Sequence, residues 1–146
     1  MADPDVSIEA LLPHRGRMLL LGEILQADKA LAISRQTVSD QWPLCDGSGV
    51  NPIVLIELVA QTAGISNGLD RVATHGAGAD RKGWLVGIKK ASLDVDRLPL
   101  GAEIVVRAKN HFVFDNFREI GGTAHMGERQ IAEVVLQVVR AEDENS

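Results

Sequence analysis

PLCDGSGVNPIVLIELVAQTAG, residues 43–64, sets a loop, a helix start and one isolated acid in a single short run. Residues 43–51 carry a proline, two glycines, Asp46 and Asn51, a composition that turns the chain. Asn51-Pro52 then reads as a helix start, with Asn as the N-cap and Pro at the first helical position. The helix is expected to run to about Ala73, where Thr74-His75-Gly-Ala-Gly-Ala supplies a glycine C-cap. Ile53, Val54, Leu55, Ile56, Leu58 and Val59 surround it on every side, and a helix that is apolar all round is usually buried. One narrow stripe differs: Glu57, Gln61, Gly64 and Gly68 are polar or very small. Another backbone, or a slender ligand, has room to approach along it.

Outward from this helix the pattern is mostly strand. Ser7-Ile-Glu-Ala-Leu-Leu reads as a short helical turn ended by Pro13. Met18–Leu25 and Lys29–Val38 read as two strands joined by a turn at Gln26-Ala27-Asp28. Beyond the helix come four more, about Trp84–Val95, Glu103–Phe114, Phe117–Met126 and Ile131–Ala141. In the second of these four, Ile104, Val106, Ala108, Asn110, Phe112 and Phe114 fall on one face by simple alternation. Glu103, Arg107, Lys109 and His111 fall on the other. The fold class is therefore α+β, with one long helix against a curved antiparallel sheet of about six strands. Residues 1–146 form one domain, with 141–146 expected to be a frayed tail.

Composition narrows the function. The net charge is −5 and aromatic residues are 3%. Nucleic-acid binding needs a basic surface, and single strands also need stacking faces, so no nucleic-acid partner is expected. No run is long and apolar enough for a membrane span. The opening MADPDV lacks a basic start and an apolar core, so no signal peptide is expected. The single cysteine, Cys45, suits a cytoplasmic protein.

A carboxylate in apolar surroundings has its charged form disfavoured, which suits Glu57 to general acid–base work near neutral pH. A structural glutamate bonded to loop amides, or one at a dimer surface, is the other reading of the pattern.

Four motifs in order, at residues 11–21, 51–64, 86–93 and 98–104, together resemble the beta-hydroxyacyl-acyl-carrier-protein dehydratases. Leu11-Leu-Pro-His-Arg-Gly-Arg-Met-Leu-Leu-Leu is similar to their LPHR opening. Asn51-Pro-Ile-Val-Leu-Ile-Glu-Leu-Val-Ala-Gln-Thr-Ala-Gly is similar to their central helix. Val86-Gly-Ile-Lys-Lys-Ala-Ser-Leu resembles the following strand, and Leu98-Pro-Leu-Gly-Ala-Glu-Ile the turn after it. The resemblance implies the hotdog fold, a long helix wrapped by an antiparallel sheet and working as a dimer. It also implies a substrate on a phosphopantetheine thioester, of acyl carrier protein or coenzyme A, with no bound cofactor.

The departure from the family is equally informative. Those dehydratases carry a catalytic histidine in a G-H-F-P loop ahead of the helix glutamate. Here Gln41-Trp-Pro-Leu-Cys-Asp-Gly-Ser-Gly contains no histidine. Asp46, in that loop, is a candidate second carboxylate, with an Asp-Gly turn as its plainer role. The amides of Gly47, Ser48 and Gly49 are candidates for holding a thioester carbonyl, or simply form a tight turn. Gln61 and Gly64 are candidate substrate contacts on the stripe. Arg71, Arg81, Lys82, Lys89, Lys90 and Arg97 could form a basic rim for an acidic carrier protein, or be scattered solvated charge. His14 is expected to fix the turn into the first strand. No histidine or cysteine spacing suits a metal.

Three functions follow. One is a dehydratase-like enzyme acting on carrier-bound 3-hydroxyacyl chains in fatty-acid or related biosynthesis, with Glu57 as its acid/base. Another is a noncatalytic subunit, as homodimer or heterodimer, whose partner brings the missing histidine. The third is an acyl thioesterase on the same fold.

Overall fold

The computed structural model describes residues 8–12, 16–75 and 83–140. A four-residue helix α1 (Ile8–Leu11) and a 3-10 turn (Gly16–Met18) precede the hairpin β1 (Glu23–Ala27) and β2 (Leu31–Thr37). Two very short strands follow, β3 (Cys45–Asp46) and β4 (Gly49–Val50), and then the long helix α2 (Val54–His75). The chain ends in β5 (Gly83–Leu93), β6 (Glu103–Phe114), β7 (Phe117–Met126) and β8 (Arg129–Arg140).

Six strands form one antiparallel sheet in the order β1-β2-β6-β7-β8-β5. Helix α2 packs across the inner face of β6, β2 and β7. This is the hotdog layering that the resemblance implies. The core is the seam between helix and sheet: Leu55, Leu58, Val59 and Ile65 from α2 meet Ile104, Val106, Ile120, Val134 and Leu136. The helix lies close to β7 because Gly122 leaves a notch there. A Cβ at that position would collide with the Val59 methyls. No described helix is long and apolar enough to cross a membrane.

Local chemistry explains where the elements start. Asn51 caps α2, its Oδ1 accepting from the Ile53 amide at 3.0 Å. Asp28 builds the β1–β2 turn by accepting from the amides of Ala30 and Leu31, at 2.8 and 2.9 Å. The buried face of β2 is the polar-looking one: Ala32, Ser34 and Gln36. Small side chains let the helix approach; Ser34 Oγ and Gln36 Nε2 find partners, while the buried Gln36 Oε1 has none among the described residues. Ser34 Oγ lies 2.8 Å from Thr62 Oγ1 on α2, and Gln36 Nε2 donates to the Ile104 carbonyl at 3.0 Å.

Two expectations change. The first strand begins at Glu23, five residues later than alternation predicts. A helix side chain takes up the backbone groups of Met18 and Leu20, as described below, so this stretch needs no ladder. In β6 the alternation itself breaks. A bulge between Asn110 and Phe112 shifts the register against β7, so that Phe112 pairs with Glu119 and Phe114 with Phe117. Phe112 and Phe114 therefore join Lys109 and His111 on the outer face, away from α2.

Candidate functional site

Glu57 sits in the first turn of α2, where the positive end of the helix dipole favours a carboxylate. It is half-buried. Gln61, one turn further on, is 0% exposed. Its Nε2 donates to Glu57 Oε1 at 2.9 Å and to the Met18 carbonyl at 2.6 Å. Its Oε1 accepts from the Leu20 amide at 2.9 Å. A backbone N–H can only donate, so Leu20 fixes which way the carboxamide faces. The group turned to Glu57 is therefore a donor.

The rest of the stripe carries the chain's own N-terminal segment. A Cβ on Gly64 would lie 2.5 Å from Leu12 Cδ2, and one on Gly68 would lie 2.9 Å from the Leu11 carbonyl oxygen. Arg71 is 5% exposed and donates to that same carbonyl at 3.1 Å. Leu11 and Leu12, with Met18 and Leu20, thus lie along the small-residue stripe. Gly64 faces a leucine methyl, and Arg71 is buried rather than part of a basic rim.

The loop ahead of α2 is a closed hairpin. Asp46 pairs with Gly49 and Cys45 with Val50 across a Gly47-Ser48 turn. Asp46 Oδ1 accepts from the Ser48 amide at 2.8 Å and the Ser48 hydroxyl at 2.6 Å. Its other oxygen lies 3.0 Å from Arg97 Nη2. The Ser48 hydroxyl and amide hold the Asp46 carboxyl below its ordinary range, with a smaller contribution from Arg97. One of the three candidate amides, that of Ser48, is therefore already committed. Gly49 has φ 131°, and any Cβ there would lie 2.5 Å from the Leu98 carbonyl oxygen. Val50 and Leu98 bond each other's backbone at 3.0 and 2.9 Å, which fastens the hairpin to the segment before β6.

The candidate docking cations are dispersed into ion pairs. Lys89 meets Glu119 at 3.4 Å, Lys90 meets Glu133, and Arg97 meets Asp46. Arg81, Lys82 and His14 lie outside the described residues. His125 falls on the outer face of the sheet, alternating with the buried positions of β7, and His111, the extra residue of the β6 bulge, lies over Gly121 on the same face. No group of metal-binding side chains occurs among the described residues.

The motif reading missed the Met18–Leu20 segment as Gln61's partner. The signal was present in sequence: a glutamine one helical turn from a glutamate, with only apolar or small neighbours, has to find its remaining partners elsewhere in the chain.

Residues 6–146 match the model of the ApeP-like family, described as ApeP dehydratase. No curated protein matches the chain. Among solved structures, a chain of the dehydratase heterocomplex ApeI:P from Xenorhabdus doucetiae is similar with TM-score 0.84 and 17% identity, over 94% of this chain and 93% of that one. Cj0977, a sigma28-regulated virulence protein from Campylobacter jejuni, is similar with TM-score 0.61 and 20% identity, over 93% and 89%. A hypothetical thioesterase with coenzyme A from Streptococcus pneumoniae is similar with TM-score 0.62 and 12% identity, over 83% and 86%. At these identities the likeness is one of fold.

Proposed function

The chain belongs to the ApeP-like dehydratase family, and from that premise we propose that it takes part in dehydrating 3-hydroxyacyl thioesters carried on the phosphopantetheine arm of an acyl carrier protein. It does so as one chain of a complex with a second dehydratase-like chain. The reaction breaks a C2–H bond and the C3–O bond, forms the C2–C3 double bond and releases water. One group takes the C2 proton, and one protonates the leaving hydroxyl. Each transfer gains about 10²–10⁴-fold from a positioned acid or base.

Glu57 is the chain's candidate for one of these transfers. The observation that carries the reading is its isolation from any described histidine. His111 and His125 lie across the sheet, and His75 lies five helical turns, roughly 27 Å, further along α2. The loop where related dehydratases carry their histidine is here a hairpin closed on Asp46 and Ser48. A second chain supplies the imidazole that this loop lacks.

The sheet has an edge suited to such a chain. β5 lies last in the strand order, is 11 residues long, and exposes about half of Leu85, Val86 and Ile88. A long apolar edge strand is a template for pairing with another strand. The opposite edge, β1, is five residues long, bulged, and carries the Glu23–Arg35 ion pair.

Purification of the chain from its native cell is the test. The expected result is a second dehydratase-like chain bearing a histidine loop, and formation of enoyl thioester from 3-hydroxyacyl-carrier substrate only by the pair. A homodimer that dehydrates at full rate removes the partner. Release of free thiol without enoyl product removes dehydration in favour of thioester hydrolysis.

A further inference from the structure

The bulge in β6 gathers side chains that simple alternation keeps apart. Phe112, Phe114 and Phe117 are the chain's only phenylalanines. All three lie on the outer face at one end of the sheet, with Phe112 53% and Phe114 70% exposed. The Phe112 and Phe117 rings meet edge to face with centroids 6.3 Å apart. Leaving a phenylalanine in water forgoes the favourable burial of its ring. A chain with so few aromatics keeps two of them there.

Arg107, Lys109 and His111 continue the same face of β6. Beside them lies an open trough of about 350 Å³, which runs over Gly121 and Thr123 of β7 to Glu133 and Lys90. Gly121 keeps its floor low, since a Cβ there would collide with the His111 ring. The acids facing this trough region, Glu119 and Glu133, are taken by Lys89 and Lys90. Arg107 and Lys109 make no ion pair with any described residue. On a chain of net charge −5, two unpaired cations beside an exposed aromatic cluster form a local surface of opposite sign.

We infer that this outer face, Phe112, Phe114 and Phe117 with Arg107 and Lys109, is a docking surface for an acidic protein segment that carries a large apolar side chain. The apolar side chain covers the phenylalanines, and the acids lie along the cationic row over the trough. Charge decides against a second copy as occupant. A two-fold pairing with its axis at the cationic row sets Arg107 and Lys109 near their own counterparts, and like charges across an interface are costly. Bulges re-aim side chains, and this one turns Phe112 and Phe114 from the helix side to the same face as the cations. The surface is separate from Glu57, which lies on the other side of the sheet.

The test is an NMR titration of the full chain with a short acidic peptide that has a central leucine–phenylalanine pair. A control peptide replaces its acids by lysines. Shifts are expected to cluster at residues 107–117, with binding to the acidic peptide alone and weakening in high salt. Phe114→Ser and Lys109→Glu should each weaken binding roughly tenfold, as loss of an anchor does. Both side chains are exposed, and unchanged resonances of α2 report that each variant is folded. Equal binding of the lysine peptide, no shifts at millimolar peptide, or wild-type self-association that Phe114→Ser abolishes would each overturn the inference.

Discussion

At the scale of residues, Gln61 organises the candidate site. Its carboxamide serves three partners at once, and all of them belong to this chain. Gln61→Leu leaves the Leu20 amide and the Met18 carbonyl without that partner inside the protein. Each buried polar group left unmet costs about 1–3 kcal/mol. The urea midpoint should fall accordingly, and an unchanged midpoint would show that water meets those groups instead. Asp46 offers a pH test. Its folded pKa lies below the ordinary 3.8 because Ser48 donates to it twice. A depressed carboxylate stabilises the hairpin above the unfolded value and loses that contribution as pH falls through the folded one. The Ser48 amide resonance should therefore titrate with a midpoint below 3.8. A midpoint above 3.8 would instead mark Asp46 as the protonated member of a carboxylate pair.

At the scale of elements, the two glycines of α2 respond differently to the same change. Glycine to alanine inside a helix gains about 1 kcal/mol of propensity. At Gly64 the obstacle is a Leu12 methyl at the end of a flexible side chain, so Gly64→Ala should be close to neutral. At Gly68 the obstacle is the Leu11 backbone oxygen, so Gly68→Ala should cost about 1–3 kcal/mol net. Thermal melts that rank the two the other way would contradict the packing of residues 11–12 on the stripe. How much of this was readable in sequence depends on where each constraint lives. The Asn51-Pro52 start, the end near His75 and the limits of β6 and β7 were legible because caps, turns and alternation are local. The start of β1 was not, because a glutamine 41 residues away from Leu20 decides it. The facing of Phe112 and Phe114 was hidden because one inserted residue reverses a period of two. Glu57, Gln61 and the small-residue stripe stood out in sequence, but that Leu11 and Leu12 fill the stripe is a tertiary fact.

At the scale of the whole molecule, the sheet has three surfaces with different prospects. Its inner face is filled by α2, its β5 edge is open and apolar, and its outer face carries the phenylalanines and the cationic row. Assembly through the edge predicts that Ile88→Lys, at a position 51% exposed in the single chain, weakens association with the partner without unfolding the subunit. Sedimentation of the purified pair checks this, and an unmoved association constant would place the interface elsewhere. The central claim is that Glu57 moves a proton of the tethered substrate. Its most direct measurement is the rate of enoyl-thioester formation from 3-hydroxyacyl-carrier by the assembled complex, wild type against Glu57→Gln. The glutamine variant should assemble normally and lose about 10²–10⁴-fold in rate. An assembled Glu57→Gln complex that dehydrates at the wild-type rate would contradict the account.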